Sequence, residues 1–358
     1  MAHSSQKRGV LKSWLENLQF SFSPPCLNLR DDLRIRAVLE KELEELRVSG
    51  LGYFYGITNT SSCVIETSVG LEKARTKAAF PWDVREEQRS VFDALLLYRD
   101  RLIKLQDIRI EDEEYVSVDE DKEYVSQYEA PLWTSYVATH HGHPFELRSE
   151  DRDEFNSYWQ KVNRSRKRAP HLEASIGRFS LASIMAGDNT RWAHRFVDYV
   201  SSMEALLTEE SGELSFKLAM GMAALLGRSP EESQNVFDFM REAYAVRSKL
   251  VHGADLVNIV PLKVRQAEVG FEEGLGRLHS YCRSCIRFVA DLAEGGFEDK
   301  KQLARLLGLT QLRSDLRESM ISFLDGKEAG KKLKDDFDKA ANTPFHRTLH
   351  EERQGVLP

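Results

Sequence analysis

Helical periodicity over the second half of the chain is the feature that most constrains its fold. After Pro170, apolar residues recur every three or four positions in five segments, the last of which runs from Val264 to Gly295. Only short connections separate the segments, and helices joined by short loops pack as antiparallel neighbours. The sequence therefore predicts an all-α antiparallel helical bundle over residues 146–295.

The fourth of these segments carries clear signals for where a helix begins, how it packs and where it ends. Ser229 is a typical N-cap residue, Pro230 suits the first helical position, and two glutamates follow in the first turn. Gly253 lies where a helix commonly stops in the left-handed conformation. The spacing of apolar residues predicts a buried stripe made of Phe237, Met240, Tyr244 and Val251.

Residues 1–145 show both helical and strand-like patterns. The stretch "LRIRAVLEKELEELRV" has apolar residues at helical spacing, whereas "LGYFYGIT" and "SSCVIETSV" are short, rich in aromatic or β-branched residues and bounded by turn formers. We therefore expect an α+β N-terminal domain, and the sequence leaves open whether it senses a trigger or recognises a substrate. Residues 296–358 predict a helical C-terminal extension with a loose tail.

Length and composition narrow the class of protein. A chain of 358 residues exceeds one comfortable hydrophobic core, so two domains are expected. No apolar run approaches the roughly 18 residues that a membrane span requires, and the first residues lack the apolar core of a signal peptide. Four scattered cysteines fit a reducing compartment. We expect a cytoplasmic protein without a membrane partner.

Two groups of metal-binding residue types occur, and neither has the spacing of a metal site. Cys282 and Cys285 form a CxxC inside a helical segment without a second ligand pair, so buried packing is favoured over a metal or redox role. His140, His141 and His143 lack the spacing of a helical zinc pair and favour a histidine-rich turn. Phosphate-binding, dinucleotide and nucleophile-elbow motifs are also absent. We expect no metal and no cofactor.

A basic run, "KVNRSRKRAPH", stands out in a chain whose net charge is −7. The negative total argues against coating nucleic acid by bulk charge but permits a local basic surface. Two interpretations stay open for this run. It is either a solvated interdomain linker or an RNA-binding patch formed by Arg164, Arg166, Lys167 and Arg168.

An arginine and a histidine five positions apart, Arg247 and His252, end the fourth helical segment. The spacing alone is permissive, since Arg164 and Arg166 also precede His171 at a matching distance, although Pro170 prevents one continuous helix there. What distinguishes Arg247 and His252 is the well-capped helix around them. The alternative is an ordinary helix end with a surface ion pair.

The pattern "Y..RS.LVHG", preceded by "RFVDYVSSMEALLTEE" and a helix rich in methionine and alanine, resembles the Apea-like branch of the HEPN superfamily. The resemblance covers roughly residues 145–295 and implies a metal-independent endoribonuclease, active as a homodimer, with Arg247 and His252 as catalytic residues. It also implies supporting roles for Ser248 and for Glu204, which could orient Arg247 or be a plain surface carboxylate. Tyr244 could stack on an RNA base, but its place in the predicted stripe favours the core. The resemblance further implies antiviral (antiphage) defence or a toxin-like role.

The residue types suit RNA cleavage through attack by the 2′-hydroxyl. Histidine can move a proton near neutral pH, and the helix dipole at its position favours the imidazolium form; arginine presents a planar cationic fork to phosphate. On an ideal helix, five residues separate two side chains by about 140° and about 7.5 Å along the axis. Either the helix breaks between Arg247 and His252, or a second copy completes the site. A non-catalytic module for dimerisation, nucleotide or protein binding stays as the alternative function, and a nucleotidyl-transferring or anticodon-targeting toxin as a third.

Overall fold

The structure, a computed structural model, divides into two compact units: Met1–Gln160 with Ser180–Trp192, and Lys161–Phe179 with Ala193–Pro358. It describes residues 8–16, 18–39, 42, 62–70, 82–99, 104–112, 145–184, 192–208, 212–253, 262–264 and 267–343. The second half is helical and the N-terminal part holds the sheet, so the coarse prediction of fold class is confirmed. The finer prediction of a HEPN-like bundle stays a prediction.

The first unit is built on a five-stranded antiparallel sheet with the order β3-β4-β5-β1-β6. Two shorter strands, β2 and β7, pair in parallel, and helix α1 spans Trp82–Tyr98. Strand bounds are β1 Arg8–Glu16, β2 Leu18–Phe20, β3 Cys26–Arg30, β4 Leu33–Ala37, β5 Ser62–Gly70, β6 Lys104–Asp112 and β7 Phe145–Leu147.

Helix α1 lies on the sheet at β5. Val91 through Tyr98 are all buried, and Gln88 Nε2 donates hydrogen bonds to the Ile65 carbonyl and to Thr67 Oγ1. These bonds satisfy polar groups that burial removes from water. The strand predicted from "SSCVIETSV" is confirmed as β5, whereas "LGYFYGIT" falls outside the described residues.

The predicted helix beginning at Leu33 is wrong over its first five residues, which form β4. Leu33 and Ile35 are buried and Arg34 and Arg36 alternate with them, the two-residue period of a strand with one face on the core. Both arginines bind the buried carboxylate of Glu66 on β5. This cross-strand pairing was not visible from local spacing.

Nine further helices follow in the part of the chain that the structure describes. Their bounds are α2 Asp151–Arg168, α3 Pro170–Ile184, α4 Trp192–Leu207, α5 Leu214–Leu226, α6 Pro230–Val251, α7 Phe271–Glu294, α8 Lys300–Leu312, α9 Ser314–Leu324 and α10 Gly330–Asn342. Pro170 begins α3, as expected for a residue that cannot continue α2. Residues of α2 and α3 belong partly to each unit, and α8–α10 belong to the second unit. The predicted domain boundaries at residues 145 and 295 stay a prediction. The predicted loose tail falls mainly on residues 344–358, outside the described residues.

The core of the second unit draws on every helix from α4 to α10. Each of these helices contributes buried side chains, and Phe297 in the connection between α7 and α8 is also buried. The helical ones include Phe196, Tyr199, Met203, Leu218, Met222, Phe239, Met240, Leu278, Ile286, Val289, Leu306, Met320 and Phe337. A three-residue connection joins α5 to α6, and Gly227 within it has no room for a side chain, since an added Cβ would lie 2.1 Å from Ser233 Oγ.

The last predicted helical segment is wrong at its start. Strands β8 (Leu262–Val264) and β9 (Ala267–Val269) form an antiparallel hairpin, and α7 begins only at Phe271. Leu262 and Val269 pair across the hairpin and are both buried. The hairpin lies so close to α7 that a Cβ at Gly274 would approach Leu262 Cδ1 to 2.7 Å. Tertiary packing therefore overrides the helical spacing.

The ends of α6 confirm the capping predictions. The Ser229 hydroxyl accepts a hydrogen bond from the Glu232 N–H at 3.1 Å, and Pro230 takes the first helical position. At the other end, Gly253 has φ +82°, the left-handed conformation that glycine adopts at low cost.

The predicted buried stripe of α6 is wrong in register. The buried residues are Val236, Phe239, Met240, Ala243 and Val246, so only Met240 was assigned correctly. Phe237 and Tyr244 are half-buried, and Val251 is 53% exposed. The predicted set and the observed set of buried residues both contain apolar residues at helical spacing. Only packing against the neighbouring helices decides which set is buried.

This register gives a stability prediction. Phe239→Ala should lower the free energy of unfolding by about 3–5 kcal/mol, because it opens a cavity at a fully buried site. Val251→Ala, on the exposed side of the same helix, should change it by less than about 0.5 kcal/mol. Urea unfolding followed by circular dichroism measures both, and equal losses for the two variants would contradict the observed register.

Candidate functional site

Helix α6 holds Arg247 and His252 on one unbroken stretch of backbone. The helix continues to Val251, and His252 directly follows it with φ −87° and ψ 11°, while its N–H donates to the Ser248 carbonyl at 3.2 Å. No break lies between the two residues, so the separation of about 140° and about 7.5 Å for an ideal helix applies. The first of the two alternatives from the sequence is therefore excluded.

Arg247 is held by Glu204, the residue on α4 that the sequence named as its partner. Arg247 Nη2 donates to Glu204 Oε2 at 3.1 Å, and the two side chains are 26% and 15% exposed. Arg247 Nε is buried and has no hydrogen-bond partner among the described residues. An ion pair with this little solvent contact is screened less than a surface pair, so the guanidinium is held in one place.

Tyr244 belongs to this site and not to the core that the sequence favoured for it. Its ring centroid lies 5.8 Å from Arg247 Cζ, beside the ion pair of Arg247 with Glu204. Burial raises the pKa of the phenol, the negative charge of Glu204 raises it further, and the positive charge of Arg247 opposes both.

His252 lies at the surface. His252 is exposed, and so are its neighbours Lys249, Val251 and Gly253. Ser248, one turn earlier on α6, is half-buried. An exposed imidazole at a helix end can exchange protons with a bound substrate or with solvent. Within one chain the structure thus brings Arg247, Glu204 and Tyr244 together and leaves His252 apart from that cluster.

The basic run forms the last turns of α2 and begins at Lys161, where the chain passes from the first unit to the second. Successive side chains from it meet carboxylates on and just beyond α7: Lys161 with Asp291, Arg164 with Glu294, and Arg168 with Glu298. The residue numbers of the basic side chains and of their carboxylate partners increase together. This part of α2 therefore runs parallel to the end of α7. These carboxylates offset much of the positive charge that an RNA phosphate would meet.

The four residues predicted to bind RNA differ in accessibility. Arg166 is 5% exposed and binds Glu173 through Nε and Nη2, so it is closed to a phosphate in this conformation. Lys167 is exposed, and Arg164 and Arg168 are about half exposed beside their carboxylates. A phosphate reaching this surface would find Lys167 most readily.

The described residues hold no group of three or more His, Cys, Asp or Glu side chains able to bind a metal ion. Cys282 and Cys285 are fully buried in α7, and Cys282 Sγ donates to Ser202 Oγ at 3.1 Å. Burial raises the pKa of Cys282 to about 12 and also raises that of Cys285, which keeps both thiols protonated. His140, His141 and His143 lie outside the described residues. In the described part of the chain, no helix is long and apolar enough to cross a membrane.

Comparison of the chain with known protein families, with curated proteins and with solved structures finds no match. The function must therefore be argued from the residues of the site.

The burial of three cysteines predicts a labelling pattern. At pH 8, an aromatic disulfide reagent should label Cys26 in the native protein, because Cys26 is half-buried on β3, whereas Cys63, Cys282 and Cys285 are buried. These three should react only after unfolding in urea. Rapid native labelling of Cys282 or Cys285, read by mass spectrometry, would show that the CxxC is accessible and contradict its packing role.

Proposed function

We propose that the chain is a metal-independent endoribonuclease of the HEPN type that cleaves RNA as a homodimer in the cytoplasm. The observation that supports this most is the anchoring of Arg247 by Glu204 on an unbroken α6, with an exposed His252 at the end of the same helix. A fixed arginine and a free histidine are the two group types that the reaction needs.

The reaction uses the nucleophile that RNA carries. His252 takes the proton from the 2′-hydroxyl, whose oxygen attacks the adjacent phosphorus and displaces the 5′-oxygen of the next nucleotide. Arg247 of the other copy neutralises the charge on the phosphoryl oxygens, and solvent protonates the leaving oxygen and afterwards takes the proton held by His252. The products are a 2′,3′-cyclic phosphate and a 5′-hydroxyl, with no water consumed.

A second copy is required because one helix does not bring Arg247 and His252 together. The outer side of α6 offers a partly apolar surface for it, where Phe237 and Val251 remain solvent-accessible and Phe216 of α5 is 46% exposed, with its ring 5.7 Å from that of Phe237. Exposed apolar groups of this kind commonly mark interaction surfaces. We propose the dimer contact here, with Val251 adjacent to His252 and Phe237 about 15 Å along the helix axis from Arg247.

The non-catalytic module remains the rival, because the pair of Arg247 with Glu204 would also serve a purely structural helix contact. In that case the protein would bind a nucleotide or protein partner without cleaving RNA. A part in antiphage defence, or as a toxin-like effector, extends the proposal on resemblance alone.

Cleavage of RNA in EDTA tests the proposal. Arg247→Ala and His252→Ala should each lower the rate by at least about 100-fold, as loss of a charge-stabilising or proton-transferring group does. End-group analysis should find cyclic phosphates. The matched controls are Arg241→Ala, an exposed arginine on the same helix, and His194→Ala, an exposed histidine on α4. Intact folding with no metal-free cleavage by the wild type would support the non-catalytic module.

The basic end of α2 gives a separate prediction about RNA binding. Lys167→Ala should weaken RNA affinity and reduce the slope of its salt dependence by about one counterion, with unchanged stability. Arg166→Ala should instead lower the free energy of unfolding by about 1–3 kcal/mol, because it removes a buried side chain and its ion pair with Glu173. Fluorescence anisotropy at several salt concentrations measures the first effect. Unchanged affinity in Lys167→Ala would remove this surface from the RNA-binding site.

A further inference from the structure

A polar pocket of about 320 Å³ lies on the five-stranded sheet of the first unit. Three of the residues that line it are direct partners across the sheet, Asn28 on β3, Arg34 on β4 and Glu66 on β5. Residues directly opposite each other on neighbouring strands lie about 4.5–5.5 Å apart at Cβ, so these three face the same space. Ser68 on β5 and residues 30–32, at the end of β3 and in the turn after it, complete the lining. Three strands and a turn therefore bring polar groups together in one place.

Ion pairs fix the two arginines of the pocket in different ways. Arg30 binds Asp32 through Nε and Nη2, and it binds Glu87 of α1 through both of its Nη groups. Arg34 binds Glu66 Oε1 through Nε, at 2.7 Å, and through Nη2. Glu66 is only 5% exposed, whereas Arg34 is 48% exposed. Arg34 is therefore held at its buried edge, and its Nη1 donates no hydrogen bond within the part of the chain that the structure describes.

Several groups in the pocket keep hydrogen-bonding capacity for a ligand. Arg34 Nη1, the Asn28 amide N–H groups and the Ser68 hydroxyl are available as donors. The carboxylate of Asp31 is exposed and makes no ion pair with any of the described residues. A ligand in this pocket thus meets three donors, one of them cationic, and one available carboxylate.

The lining disfavours two common classes of ligand. Its two arginines stand against three carboxylates, Asp31, Asp32 and Glu66, so phosphate and other multiply charged anions are repelled overall. The seven lining residues include no aromatic or aliphatic side chain on which a nucleobase could stack. The volume also lies at the small end of the range of about 300–1,000 Å³ for ligand pockets. These features favour a small aliphatic molecule that carries charges of both signs.

We propose that this pocket binds a small aliphatic zwitterion of the amino-acid class. The ligand's carboxylate accepts hydrogen bonds from Arg34 Nη1, Asn28 and Ser68. Its ammonium group pairs with Asp31. Because Glu66 holds the arginine in place before the ligand arrives, little side-chain entropy is lost on binding. The pocket lies wholly in the first unit and binds its ligand without RNA, so it is separate from the proposed nuclease.

Calorimetric titration of the full chain tests the pocket. The probes are the free L-amino acids, β-alanine and γ-aminobutyrate, at concentrations up to about 10 mM, and at least one of them should bind. The N-acetyl derivative of the best probe lacks the ammonium group, and its amide lacks the carboxylate. Each derivative should bind at least about tenfold more weakly, because it loses hydrogen bonds between charged groups.

Variants locate the binding. Asp31→Asn keeps the shape of the side chain and removes its charge, so it should weaken binding of the best probe about tenfold. In this variant the best probe and its N-acetyl derivative should bind more nearly alike, because Asp31 acts on the ammonium group. Asn28→Ala should weaken binding about threefold, the loss of one neutral donor. The matched control is Asp153→Asn, an exposed aspartate on α2 outside the pocket, which should bind as the wild type does. Circular dichroism checks that each variant is folded.

Three results would overturn the proposed ligand class. They are no binding by any of these zwitterions, equal affinity for the best probe and its N-acetyl derivative in the wild type, and equal effects of Asp31→Asn and Asp153→Asn. Tighter binding of inorganic phosphate than of every amino acid would overturn it as well. A wild type that cleaves no RNA and yet binds an amino acid through Asp31 supports the pocket and counts only against the proposed function.

Discussion

The contact between Arg247 and Glu204 is the interaction on which this account of the site depends. It joins α6 to α4 with both side chains mostly shielded from water, unlike the exposed pair of Arg277 with Glu273, whose side chains are 43% and 56% exposed. Shielding preserves the attraction that solvent and salt weaken at the surface, and it makes the loss of either partner costly. The guanidinium is therefore presented in a defined place before any ligand arrives.

The continuity of α6 is the second constraint, and it decides how the site can be assembled. A helix that runs without a break past Arg247 turns the side chain of His252 about 140° away from that of Arg247 and about 7.5 Å along the axis. In a symmetric dimer, Arg247 of one copy and His252 of the other can lie in the same site.

Local chemistry explains which parts of the fold could be predicted. The cap at Ser229, the break at Pro170 and the stop at Gly253 depend on residues close in sequence, and the structure confirms all three. The register of α6, the β8–β9 hairpin and the β4 strand depend on packing partners elsewhere in the fold. The spacing of apolar residues alone therefore predicts these three features wrongly. At the site, Glu204 was named through resemblance, and Tyr244 was assigned to the core. Its position one turn before Arg247 was the one local signal that it belongs to the site.

The central claim is that Arg247 and His252 act together only across two copies of the chain, and a defined heterodimer tests it most directly. Coexpression of Arg247→Ala and His252→Ala chains with different affinity tags allows purification of the mixed dimer alone. If each site takes its arginine from one copy and its histidine from the other, this dimer retains one intact site and about half of the wild-type activity, while each homodimeric variant is inactive. A mixed dimer as inactive as the two variants, beside a wild type that cleaves RNA, would contradict the claim.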